Sequence, residues 1–162
     1  MTETPEARLE ALGLTLPEPP TPVASYVPSV RAGELLWLSG QIPTRDGKLP
    51  RTGLVGRDIS VEDATEEARY AALNALAQIK AGAGDLSRVK RIVKVQVFVA
   101  SSEGFHSQPT VANGASELFV EIFGDAGRHA RSAVGVAELP LGAPVELDVV
   151  VQLGDVPSIF PA

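Results

Sequence analysis

The chain has 162 residues, 44% of them hydrophobic, which is enough for one globular domain with its own core. Its 20 acidic residues against 14 basic ones give a net charge of -6, so it lacks the electrostatic footprint of a general nucleic-acid binder. With no cysteine, disulfides, thiolate nucleophiles and cysteine-ligated metals are excluded.

The N-terminus MTETPEARLEALG has no basic segment leading into an apolar one. No run approaches the roughly 18 apolar residues that cross a bilayer. A soluble cytoplasmic protein with no membrane partner is the expectation. Residues 1–22 read as an N-terminal extension and 23–162 as a single domain.

Along the chain, Thr4 to Leu12 reads as a short helix, with Pro5 in its first turn and Gly13 to end it. Pro17, Pro19, Pro20 and Pro22 then forbid regular structure and mark a surface lead-in. Tyr26 to Arg31 and Leu35 to Gln41 read as a strand pair turning at Ala32, Gly33 and Glu34. After the polar loop TRDGKLPRTG the period changes. Ser60 caps a helix that reaches Lys80 and carries Ala64, Ala68, Ala71, Ala75, Leu76 and Ile79 on one face. The small residues predict close packing on a sheet, and AGAGD ends the helix.

VKRIVKVQVFVAS predicts a long strand whose alternation breaks once, at Arg91 and Ile92. Pro109 to Phe123 predicts a second long helix ended by Gly124, with Gly114 inside it implying close backbone approach. Ser132 to Leu139 and Val145 to Leu153 read as strands around the turn Pro140 to Pro144. This order fits an α+β domain, a single mixed sheet with two helices on one face. The other face would be bare and apolar, and burial against copies of itself predicts a homo-oligomer.

Familiar cofactor motifs are missing. No G-x-G-x-x-G, P-loop or nucleophile-elbow spacing occurs. His106 and His129 stand 23 residues apart with no acids clustered beside them, and read as surface or loop histidines rather than metal ligands.

Three segments, SYVPSVRAGELLWLSGQIP, VKRIVKVQVFVAS and ARSAVGVAELPLGAPVELDVVV, together resemble the reactive-intermediate deaminase family, also called RidA or YjgF and once named L-PSP endoribonucleases. The resemblance spans roughly residues 25 to 151. Tyr26 lies thirteen residues before Ser39, and Arg131 fifteen before Glu146, as in the family pattern. It implies a chorismate-mutase-like subunit of the bacillus type, a homotrimer with three inter-subunit clefts, and hydrolysis of small enamines and imines to 2-keto acids and ammonia without metal or cofactor. Its ligand would be a small 2-imino or 2-keto acid. By the same resemblance Arg131 grips the substrate carboxylate and Glu146 holds the attacking water. Tyr26, Ser39, Gly40, Gln41, Asn113 and Ala133 line the cleft, Ala133 through its backbone. The family's common cysteine is Ala133 here, and its frequent acid is Gly135.

The residue chemistry agrees with those roles. A guanidinium is a planar fork matched to a carboxylate. A carboxylate can take a proton from water and return it to departing ammonia. Gly40 permits close approach of a ligand, and Glu146, on the strand after Arg131, is expected beside it across a hairpin. Without the pattern, Arg131 reads as a surface or ion-paired arginine, Glu146 as a solvated strand acid, and Ser39 as a hydroxyl bonded to backbone. Two other functions stay open: a non-catalytic trimer that binds a small carboxylate, and an endoribonuclease, against which the acidic charge argues.

Overall fold

The computed structural model describes residues 3–19, 21 and 25–154; residues 22–24 and 155–162, where the expected domain begins and ends, lie outside the described residues. The elements are α1 (Pro5–Ala11), β1 (Ser29–Ala32), β2 (Leu35–Leu38), α2 (Val61–Ala83), β3 (Val89–Ala100), α3 (Gln108–Phe123), β4 (Ala130–Val136) and β5 (Val145–Leu153). One five-stranded sheet holds them in the order β1-β2-β5-β3-β4. All pairs are antiparallel except β3 with β4, which α3 joins as a crossover. This is the expected α+β fold with a single mixed sheet. Among the described residues no helix is long and apolar enough to cross a membrane.

The helices form where capping and periodicity place them. Ser60 accepts a hydrogen bond from the Asp63 amide (3.0 Å), Glu62 and Asp63 occupy the first turn of α2, and Gly84 ends the helix at a φ of 87°. Its alanines Ala64, Ala68, Ala71 and Ala75 are fully buried. Alanines there let the helix axis lie close to the sheet, and the larger Leu118, Phe119 and Ile122 of α3 fill the space beside it. Each such side chain contributes about 1.5–3 kcal/mol on burial. Where α2 and α3 meet, a Cβ on Gly114 would strike the Thr65 carbonyl, so only glycine permits the contact. The short α1 adds a third helix, held by Leu9, which is buried in the same core.

Strand ends differ from expectation for reasons of pairing. β1 begins at Ser29 rather than Tyr26: Pro28 has no N–H to give, and beyond Leu38 the chain returns a single backbone bond, from the Ser39 N–H to the Pro28 carbonyl at 2.9 Å, before the bulge. β4 runs 130–136 rather than 132–139, in parallel register from Lys94–Ala130 to Ala100–Val136, and stops where β3 stops. Arg131 therefore lies inside the strand. In β3 the register against β5 slips twice, once on each side of Arg91–Ile92, where the sequence pattern suggested one break.

A third irregularity bears on function. Trp37 lies opposite Val150 and Gln41 opposite Leu147, four steps on one chain against three on the other. The expected strand Leu35–Gln41 is thus interrupted by one extra residue at Ser39–Gly40, a bulge of the kind that re-aims side chains.

Candidate functional site

Paired residues share a face of the sheet, so the register sorts the candidates. Arg131 and Ala133 lie beside Val95 and Val97, both buried, on the helix-covered face. Glu146 lies opposite Phe98 and Asp148 opposite Gln96, on the open face. Within one chain Arg131 and Glu146 therefore point away from each other. The hairpin expected between their strands does not exist. The α3 crossover places β4 on the far edge of β3, which leaves β5 to pair with the other edge, so β3 stands between them.

Two groups result. In the first, Glu146 leans over the bulge, and a Cβ on Gly40 would collide with its carboxylate. Half-burial, and after it the neighbouring Asp148, push the Glu146 carboxyl above its ordinary range. Burial also raises Asp148, against which Lys94 acts. Ser39 donates its hydroxyl to the Val27 carbonyl at 2.7 Å, the backbone role weighed for it above. Gln41 is buried, donating its side-chain amide to the Ser39 carbonyl at 3.1 Å while its backbone bonds Leu147 in both directions. It shapes the bulge. Tyr26, half exposed, precedes β1 and joins Gly40, Gln41, Pro17, Asn74 and Leu141 around a cavity of about 470 Å³.

In the second group, Arg131 reaches across the end of α3. Its Nη1 donates to Asn113 Oδ1 at 2.8 Å and to Ser116 Oγ at 3.2 Å, and Nη2 donates to the Pro109 carbonyl at 3.3 Å. Every acceptor is neutral. Among the described residues Arg131 makes no ion pair. Its guanidinium is oriented without being neutralised, the condition in which it best takes an external carboxylate. The space beside Gly135 is filled by the Gln108 amide, which donates to the Phe105 carbonyl at 2.9 Å and the Ser101 hydroxyl at 3.3 Å.

Two residues of this group escaped the sequence reading. Ser116 links Arg131 to His129, whose Nε2 lies 2.9 Å from the Ser116 oxygen. His129 stands in the loop before β4, as expected, but it is half-buried and bonded, with Nδ1 2.6 Å from the Gly127 carbonyl and its ring edge-on to Phe119. Nothing in the spacing of a lone Ser and a lone His on separate elements announces this contact.

This fold belongs to a known class. A family model described as "YjgF/chorismate mutase-like, putative endoribonuclease" matches residues 6–152, and the chain belongs to that YjgF/RidA family. It is 47% identical over 150 residues to Protein TCP17 of Trypanosoma cruzi, covering 92% of this chain and 94% of that one. To a 2-iminobutanoate/2-iminopropanoate deaminase of Dermatophagoides farinae it is 33% identical, covering 86% and 94% respectively. The crystal structure of Atu1372, a protein of unknown function from Agrobacterium tumefaciens, superposes with a TM-score of 0.85 at 48% identity, covering 93% of this chain and 92% of the other.

Proposed function

We propose that the protein hydrolyses small 2-imino acids, and the enamines that tautomerise to them, to 2-keto acids and ammonia, in clefts between the subunits of a homotrimer. One observation carries this reading. Arg131 is held by three neutral acceptors with no carboxylate of the described residues on it, as a group awaiting a substrate carboxylate would be. The deaminase name of a relative at 33% identity supports the same chemistry.

The division of the candidates supports an assembly with clefts between subunits. Arg131, Asn113 and Ala133 belong to one face and edge, Glu146 and Gly40 to the other. One protomer therefore supplies the carboxylate clamp, and its neighbour supplies the acid/base group.

In such a cleft the guanidinium forks onto the carboxylate of the protonated imine and fixes C2 toward a water held by Glu146. Water oxygen bonds to C2 as its proton passes to the carboxylate, giving the carbinolamine. Glu146 returns that proton to nitrogen, the C–N bond breaks, and the hydroxyl passes its proton to the re-ionised Glu146 as the C2 ketone forms, from which the departing ammonia takes it as ammonium. Ammonia departs. A carboxyl raised above its ordinary range is suited to both transfers near neutral pH.

The test is hydrolysis of freshly generated 2-iminobutyrate. Wild-type protein accelerates keto-acid release, and Arg131→Ala and Glu146→Gln accelerate it far less. If the wild type gives no acceleration across several amino-acid-derived imines, the reading is wrong. Tight 2-ketobutyrate binding without any turnover would leave a carboxylate-binding protein instead.

A further inference from the structure

The polarity of the contacts behind Arg131 is determined by chemistry. The Gly127 carbonyl can only accept, so His129 Nδ1, 2.6 Å away, carries the ring proton. In the neutral imidazole Nε2 is then an acceptor, and the Ser116 hydroxyl, 2.9 Å from it, must donate. With its hydrogen committed, Ser116 Oγ presents lone pairs to Arg131 Nη1 at 3.2 Å. The ring plane is fixed in turn by its edge-on contact with Phe119, at 5.9 Å and 88°. The charged group facing the ring is Arg131. Arg128 and Asp125, on the adjoining turn, pair with each other at 3.2 Å, and α3 turns the neutral Ser116 and Phe119 toward it.

From this chain of contacts we propose that His129 is a positioning residue for the Arg131 clamp, acting through Ser116. It rests on the reading of Arg131 as the carboxylate anchor. The neutral imidazole holds the Ser116 proton, and that leaves the serine oxygen a dedicated acceptor for one nitrogen of the guanidinium. Asn113 shares that nitrogen and the Pro109 carbonyl takes the other, so the free edge of the fork has one orientation. Burial is the first cause, and the Arg131 charge a further one, that keeps His129 less basic than usual, while the Gly127 carbonyl opposes both.

The experiment compares wild type with His129→Phe, which keeps the ring and loses the acceptor, and His129→Gln, which restores an acceptor near the place of Nε2. Ser116→Ala removes only the linking oxygen. In the ligand-free protein, nitrogen-15 NMR is expected to resolve the Arg131 Nη protons in wild type and His129→Gln, and to average them in His129→Phe and Ser116→Ala. By calorimetry, 2-ketobutyrate affinity falls about threefold to tenfold in the latter two and is retained in His129→Gln.

Unchanged Arg131 signals and unchanged affinity in His129→Phe would overturn the proposal. So would a His129→Gln variant as impaired as His129→Phe. If the Arg131 signals respond as expected but wild type neither binds 2-ketobutyrate nor hydrolyses imines, the positioning of Arg131 by His129 stands and its role as a substrate clamp falls.

Discussion

At the scale of single residues, Arg131 and Glu146 make opposite demands on the fold. Arg131 is satisfied by neutral acceptors, so removing it leaves no buried charge unpaired. Arg131→Ala is expected to reduce kcat/KM for imine hydrolysis by about 10- to 100-fold, the loss of a charged hydrogen-bonded contact. Arg131→Lys restores little of this, since an ammonium cannot reproduce the planar fork. Glu146 is costly to the native state. Its folded carboxyl is raised by burial and by Asp148, so the fold favours the protonated form. Its stabilising contribution is complete below the unfolded carboxyl range, near about pH 4. It is lost as pH rises through the folded value. Glu146→Gln is therefore expected to melt above wild type at neutral pH, with the gap closing on acidification, while activity falls roughly 100- to 10,000-fold. Thermal melts across pH and keto-acid assays on the same samples check both halves.

At the scale of elements, glycine at position 114 sets the distance between α2 and α3. A methyl there meets the Thr65 carbonyl, backbone that cannot swing aside. Gly114→Ala is expected to destabilise the protein by about 1–3 kcal/mol in urea unfolding, despite alanine's higher helix propensity. That close approach was legible in the sequence, as were the cap of α2 and the bounds of β5, because local chemistry decides them. The ends of β1 and β4 were not. A strand stops where its partner stops, and neither Tyr26 nor Leu139 carries any mark of how far β2 or β3 extends. The candidate site divides likewise. Motifs singled out Arg131 and Glu146, but their placement on opposite faces depends on which edge of β3 each strand joins. His129 could not be found at all, since its meaning comes from Ser116 and Arg131 around it.

For the whole molecule, the open face of the sheet is the feature left to explain. It carries Trp37, Val30 and Val134, each about half exposed, among Lys94, Gln96 and Asp148, which is more polar than the apolar face the sequence suggested. On the trimer reading Trp37 is an anchor of the subunit contact. Trp37→Glu is expected to shift sedimentation to the monomer and reduce hydrolysis by about tenfold or more, with circular dichroism unchanged. An associated, fully active variant would remove Trp37 from the interface. On the proposed reading, the opposite facing of Arg131 and Glu146 makes the catalytic unit a property of pairs of chains. Two dead variants, one lacking each residue, therefore repair each other when co-refolded. Random mixing in equal parts gives a working cleft at about one junction in four, so about a quarter of native activity returns. In a cell carrying one sound and one defective copy, every chain would borrow half its chemistry from a neighbour it did not encode.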